Sequence, residues 1–298
     1  MKTKEDILII GAGLCGSLLA LRLGQRGHRV RVMERRSDLR KVDLKAGRSI
    51  NLALSNRGLK ALKMVGLEAA VKPLCIPMYG RMLHDKKGRL KMSKYSGRKG
   101  EYINSISREL LTALLIDQAE ALENVSFEFD LKCDEVDFKN NIASFTNTKN
   151  RYSLNCKAGR IFGTDGAGSS LRKSYISKRE FLFNFSQDFL THGYKELSIP
   201  ADKNGGFRAE KNVLHIWPRG DYMMIALPNL DGSFTTTLFL AYEGGTYNFK
   251  NLDTEDKVLN FFSKEFPDTL ELMPGLVNEF FKNPIASLGT IKCFPWQY

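Results

Sequence analysis

A strand, a glycine-rich turn, a helix and a second strand open the chain; a short antiparallel meander follows, and a second antiparallel region fills the last third. Together they predict an α/β fold in which a Rossmann-like GxGxxG domain is interleaved with an antiparallel-sheet domain. The chain is read as crossing between the two rather than splitting once. Residues 1–75 and 100–175 are assigned to the nucleotide domain, and 76–99 and 176–298 to the sheet domain. With 298 residues there is enough chain to bury a sizeable core.

The elements follow from local pattern. Asp6–Ile10 is a continuous apolar run, expected of a parallel strand buried on both faces. Residues 14–26 read as a helix and Arg29–Met33 as the second strand. Residues 78–84 and 89–95 bracket Asp85-Lys86-Lys87-Gly88, a hairpin; with Gly88 left-handed, Arg81 falls opposite Ser93 and diagonal to Tyr95 on one face. Residues 107–122 form a helix with Leu110, Leu111, Leu114, Leu115, Ala119 and Leu122 on a packing face. From 124 to 156, alternating runs separated by Asp134-Glu135, Asn140-Asn141 and Lys149-Asn150 predict the meander, and 160–164 returns to the first sheet. Strands at 213–217, 222–227 and 234–240 are joined by Pro218-Arg219-Gly220-Asp221 and by residues 228–233. An amphipathic helix at 254–266 and a late strand at 287–293 complete the pattern.

Composition narrows the function classes. Lys and Arg number 45 against 33 Asp and Glu, a formal charge of +12, but the basic residues are scattered and do not interleave with aromatics, so no nucleic-acid partner is expected. The 5 cysteines form no CxxC pair and the 4 histidines are dispersed, so no metal site is expected. No apolar run approaches bilayer length, and the strand starting at Asp6 leaves no room for a leader; free thiols without an address imply the cytoplasm.

Gly11-Ala12-Gly13-Leu14-Cys15-Gly16 sits between strand and helix. Gly11 allows the tight turn, Gly13 lets the backbone approach a pyrophosphate, and Gly16 lets helix and strand pack closely. Glu34 ends the second strand, where a carboxylate accepts both ribose hydroxyls of an adenosine and repels a 2′-phosphate. FAD or NAD is therefore expected, not NADP.

Gly163-Thr164-Asp165-Gly166 and the run to Arg172 decide between them, because they resemble the Asp-Gly fingerprint of single-component flavoprotein hydroxylases. Longer stretches narrow the likeness: residues 47–55 (Gly47-Arg48-Ser49-Ile50 onward), Ser105-Ile106-Ser107-Arg108, His192-Gly193-Tyr194-Lys195-Glu196-Leu197, and Leu214-His215-Ile216-Trp217-Pro218-Arg219 with residues 223–229. Together they resemble the kynurenine 3-monooxygenase family over nearly the whole chain.

The resemblance implies FAD, NADPH as cosubstrate, O2, and hydroxylation of the small aromatic amino acid L-kynurenine. The cofactor would carry the difficult chemistry, so no catalytic acid or base is expected of the side chains. It implies Arg81 and Tyr95 as the carboxylate-binding pair, and Leu214, Ile225, Leu227 and Phe239, with Trp296, as the wall around the aromatic ring. For the cofactor it implies Arg35, Ala53, Arg108, Cys133 and Asp165, added to Gly11, Gly13, Leu14, Gly16 and Glu34. His84, His192 and His215 are read as structural. The family continues with a Gly-Asp-Ala-Ala-His segment that Tyr298 precedes; the expectation is a truncated chain, or one inactive by itself. A non-catalytic FAD- or nucleotide-binding fragment, another flavin-dependent aromatic hydroxylase and an NAD-dependent dehydrogenase stand as the alternatives.

Overall fold

The computed structural model describes residues 6–41, 51–98, 100–178 and 182–298; Gly47-Arg48-Ser49-Ile50 of the quoted motif lie outside the described residues. Four parallel strands in the order Arg160–Gly163, Asp6–Ile10, Arg29–Met33 and Val125–Glu128 form the first sheet. Leu8 and Ile9 are wholly buried, as the unbroken apolar run requires when both faces are covered. On one face lie the helices Leu14–Gln25 and Arg108–Glu120; on the other lies the meander Leu131–Asp137, Ile142–Asn147, Ser153–Lys157.

Two expectations change here. The run 125–128 is not part of the meander: it pairs in parallel with Arg29–Met33, with Val30 opposite Val125 and Val32 opposite Phe127. Its alternating burial suits a sheet edge as well as a meander, so only the long-range partner decides. The helix after Ser107 buries Leu111, Leu115, Ile116 and Ala119, whereas Leu110 and Leu114 are half-buried at its margin. Ser107 stays outside as the cap, its hydroxyl accepting from the Leu110 amide.

Between the two main units, Asn51–Leu54, Ile103–Ser107 and Cys75–Met78 form a small antiparallel sheet that local pattern did not reveal. It is stitched to the second main sheet through one carbonyl: Asn51 Nδ2 and Ser105 Oγ donate to the Pro228 oxygen at 2.9 and 2.8 Å.

The second main sheet has seven strands, in the order Ile285–Phe294, Asn184–Ile199, Phe234–Ala241, Tyr222–Pro228, Leu214–Arg219, Gly80–His84 and Leu90–Lys94. The three strands expected between 213 and 240 form its centre, and the hairpin its edge. The 16-residue strand Asn184–Ile199 was not expected. Its second half alternates in burial, but residues 184–191 are almost all exposed, so the run has no single period to read. One face is covered by the helices Glu255–Glu265 and Leu276–Lys282, burying Trp217, Met224, Leu238, Phe261 and Phe262. Lys195 locks this layer. Its ammonium, in a side chain only 6% exposed, donates to the carbonyls of Phe280 and Asn283 at 2.5 and 2.8 Å, a cation at a helix C-terminus.

Candidate functional site

The glycine turn is built as its spacing demands. Gly11 has φ +101°, and a Cβ there would meet the Thr164 carbonyl at 2.8 Å. At Gly16 a Cβ would drive into the Gly11 carbonyl and the Thr164 hydroxyl, so this glycine lets the helix sit on the turn. Gly13 differs: its φ of −70° is ordinary and a Cβ would meet no protein atom within 4 Å. Its open side faces the mouth of a cleft of about 700 Å³, where a ligand backbone can come close. Leu14 starts the helix but turns into the core, so only its backbone belongs to this end.

Glu34 closes the other side. Its carboxylate accepts from the Ala12 amide at 2.8 Å and from the Arg36 amide at 3.0 Å, which ties the second strand to the glycine turn. Asp165 Oδ2 accepts from the Ser170 amide at 2.7 Å, and Thr164 Oγ1 donates to the Ile10 and Gly11 carbonyls at 2.9 and 2.8 Å. Sequence reading named the Asp-Gly pair but not Thr164, although it stands in the same quoted motif. Arg35, Arg108 and Cys133 also line the cleft. Burial pushes the Cys133 thiol up to about 12, with Asp165 adding to the effect, so Cys133 is an uncharged wall and not a nucleophile. Arg36, Lys132 and Lys173 line it too. Only Lys132 is carried there by the meander; Arg36 follows Arg35 just after the second strand, and Lys173 lies on the helix Ser170–Ile176 next to the quoted motif. Ala53 is exposed on its edge strand and is not among the lining residues.

The residues present suit a dinucleotide with an adenosine and a pyrophosphate. They supply a backbone cradle with its open side at Gly13, a carboxylate at the end of the second strand, and arginines and lysines around the anionic middle.

The substrate-side residues come together on the face of the seven-stranded sheet turned away from its helices. Leu214 pairs with Arg81, Ile216 with Ile225, and Met223 with Phe239, so Arg81, Leu214, Ile225, Leu227 and Phe239 share that face. The hairpin register is the expected one, with Arg81 opposite Ser93 and Gly88 at φ +73°. The Arg81 guanidinium carbon lies 4.4 Å from the centroid of the Tyr95 ring, so it stacks over the ring face. Arg81 is exposed, while the Tyr95 hydroxyl is buried without a hydrogen-bond partner among the described residues. Burial raises the phenol pKa and the neighbouring Arg81 opposes the shift. Trp296 does not join this face. It is 86% exposed and follows Ile285–Phe294, the strand at the opposite edge from the hairpin, while Tyr298 packs on Phe138 and Tyr175.

His192, His215 and His84 are engaged within the fold. His192 Nε2 lies 2.9 Å from the Asp221 carbonyl, and the other two sit in the helix-side core. Among the described residues no group of His, Cys, Asp and Glu is placed to hold a metal, and no helix is long and apolar enough to cross a membrane.

Residues 4–181 match the family model of the FAD binding domain. Along its whole length the chain is similar to proteins called kynurenine 3-monooxygenase. The one from Flavobacterium johnsoniae is 46% identical, over 100% of this chain and 65% of its own; the one from Dictyostelium discoideum is 44% identical, over 99% and 62%. The chain thus spans about 65% of the length of the first of these relatives. Among solved structures, 2-methyl-3-hydroxypyridine-5-carboxylic acid oxygenase superposes with a TM-score of 0.74 at 19% identity, covering 99% of this chain and 73% of that one. The tetracycline destructase Tet(51) superposes at 0.62 and 16%, covering 98% and 71%. At those identities the likeness establishes the fold alone.

Proposed function

The chain belongs to the FAD binding domain family and is a relative of the kynurenine 3-monooxygenases from end to end, and from that premise we propose that it is the FAD- and substrate-binding portion of a flavin-dependent kynurenine 3-hydroxylase. NADPH and O2 are the proposed cosubstrates. Residues 1–75 and 100–175 are proposed to carry the cofactor, and 76–99 and 176–298 the substrate. The five free cysteines among the described residues support a reducing, cytoplasmic setting.

One observation carries the substrate assignment. A guanidinium at the sheet edge stands in register with an apolar wall of Leu214, Ile225, Leu227 and Phe239, on the face that the sheet's own helices leave open. That arrangement fits a molecule with a carboxylate at one end and an aromatic ring at the other. In this reading Arg81 holds the carboxylate, the Tyr95 hydroxyl turns from its unpartnered site to donate beside it, and the wall excludes water from the ring.

FAD, when bound, supplies the oxygen-transfer chemistry. Gly11, Gly13, Leu14 and Gly16 would cradle its pyrophosphate through the backbone; Glu34, Arg35 and Arg108 would hold the adenosine and phosphate oxygens, with Asp165 and Cys133 as adjoining wall. Ala53 is kept as a proposed neighbour through its strand. Trp296 is kept only as a proposed neighbour of the substrate's aromatic ring, 86% exposed in this chain.

The test has two stages. The purified chain is titrated with FAD and followed by flavin fluorescence. The chain, extended by the C-terminal third of the Flavobacterium johnsoniae relative, is then assayed for NADPH-dependent formation of 3-hydroxykynurenine. Flavin binding followed by product is expected. Absence of flavin binding would remove the cofactor reading. Flavin binding without product in the extended chain would leave an FAD-binding protein and remove the hydroxylase reading.

A further inference from the structure

On the helix side of the seven-stranded sheet, opposite the Arg81 wall, lies a buried polar chain with no part in the proposed reaction. Asp268 Oδ2 is 2.6 Å from His84 Nδ1, His84 Nε2 is 2.8 Å from His215 Nδ1, and His215 Nε2 is 2.8 Å from the Glu210 carbonyl oxygen. The histidines are 4% and 2% exposed. The same carboxylate oxygen accepts from Trp217 Nε1 at 2.9 Å, and the His84 ring stacks on the Trp217 ring with centroids 4.0 Å apart.

The protons of this chain can be counted. A backbone carbonyl only accepts, and so does an ionised carboxylate; between them stand two imidazoles and three links, each needing one proton. Two neutral imidazoles bring only two. We propose that the Asp268–His84–His215 unit holds a third proton at neutral pH, as a His84 imidazolium, and that this proton clamps the edge hairpin carrying Arg81.

The surroundings agree. Burial lowers the His215 value to about 4, with the Glu210 carbonyl opposing and His84 acting in the same direction as burial, so His215 stays neutral. Although burial raises the Asp268 carboxyl, the hydrogen bonds from His84 and Trp217 bring it below its ordinary value, so it stays an anion. The other charged groups here are engaged elsewhere. Arg219 donates to the carbonyls of His84 at 2.9 Å and Asp85 at 3.3 Å, and Lys86 pairs with Glu265 at 2.6 Å. The Tyr222 phenol is held protonated by burial and by Glu265. The stacked indole face adds attraction for a cation.

The link to the hairpin is geometric. Strand Gly80–His84 is held to the sheet by three pairs, Arg81 with Leu214, Met82 with His215 and Leu83 with Ile216, and its outer neighbour Leu90–Lys94 is mostly exposed. His84 is its last residue, and the turn that follows lies against Asp268, where a Cβ on Gly88 would sit 3.6 Å from the Asp268 Cβ. Loss of the third proton breaks one of the three links, because two lone pairs are then opposed at the carboxylate, between the two rings or at the carbonyl. The hydrogen-bonded path from the hairpin end at Asp268 through both rings to the Glu210 carbonyl is then interrupted, which loosens the hairpin end. The clamp does not depend on the Arg81 reading; its bearing on ligand carboxylates rests on that reading, proposed above.

The full chain, labelled with 15N in histidine, decides the count at about pH 7, where free imidazole (~6.5) is mostly neutral. Three ring N–H protons across His84 and His215 are expected; two would overturn the proposal. Amide exchange then tests the clamp. Raising the pH to about 10, after correction for the intrinsic base-catalysed rate, should cost the strand at 80–84 about tenfold in protection while Tyr222–Pro228 keeps its own. Asp268→Asn should reproduce that loss at about pH 7 and remove the third proton. Unchanged protection in both experiments would overturn the clamp even with three protons present. A failure of Arg81→Met to weaken carboxylate binding would sink the substrate reading and leave the proton count untouched.

Discussion

Gly13 and Gly16 lie in one motif, and the structure assigns them opposite sensitivities. Gly13 has an ordinary backbone conformation and open space where a Cβ would go, whereas a Cβ on Gly16 would overlap the Gly11 carbonyl and the Thr164 hydroxyl. Gly13→Val should therefore leave the fold nearly intact. Losing glycine's unfolded-state freedom contributes roughly +0.4–1 kcal/mol, and placing a β-branched residue at the helix N-cap costs a comparable amount. Its new methyl groups project into the cleft and keep the pyrophosphate from the backbone amides. Losing one charge-assisted hydrogen bond costs about 1.5–3 kcal/mol, a fall in FAD affinity of roughly tenfold to a hundredfold. Gly16→Ala should do the reverse. Overpacking against backbone costs about 1–3 kcal/mol, which in a chain of this size lowers Tm by roughly 2–6 °C. The assay pairs thermal unfolding without cofactor with flavin-fluorescence titration of each variant. If Gly13→Val melts as early as Gly16→Ala, or binds FAD as tightly as the parent, then the cleft wall at Gly13 is not where a dinucleotide approaches.

In the extended chain, Arg81→Met should weaken kynurenine binding by about 1.5–3 kcal/mol with flavin content unchanged, and Tyr95→Phe by about 0.5–1.5 kcal/mol; an analogue without the carboxylate should bind all three proteins alike. If Arg81→Met weakened that analogue as much as kynurenine, or lost flavin, the residue would belong to the fold or the cofactor. The Arg40 side chain holds the Asp38 carboxyl below its ordinary value while it also bridges to Asp117 and Glu120, so this group stabilises the native chain above the unfolded value of about 3.8. That contribution is lost as pH falls through the lowered native value; urea melts from pH 6 down to about 3 should show the loss, and Asp38→Asn should flatten that part of the profile. Cys15 is exposed in the glycine turn whereas Cys133 is buried with its thiol pushed up to about 12, so brief alkylation near neutral pH should label Cys15 and spare Cys133. Peptide mass spectrometry reads the outcome; labelling of Cys133 as fast as Cys15 would show that Cys133 is not buried and uncharged.

The parts legible in the sequence were those whose physics is local. An unbroken apolar run at Asp6–Ile10, glycines at fixed offsets and a carboxylate at the end of the next strand identify a nucleotide turn, because each term is a backbone requirement that only certain residues meet. The hairpin register was readable because Gly88 sets the turn, and the turn sets which residues oppose. Where two environments leave the same pattern, reading failed. Half-buried Val125–Glu128 alternates alike in a meander and at a parallel edge, and the exposed half of Asn184–Ile199 has no period at all.

The sequence by itself determined the nucleotide turn and the register of the Gly88 hairpin, since these depend on backbone requirements of residues close along the chain. Only the tertiary structure decided that Leu214 stands beside Arg81, that Lys132 and Lys173 face the glycine turn, that Trp296 lies at the far edge, and that His84, His215 and Asp268 form one hydrogen-bonded chain. His84 and Asp268 are 184 positions apart, and no local preference of either residue encodes the other. Their meeting is set by which faces of the sheet and of the helical layer bury together, a property of the whole packed chain.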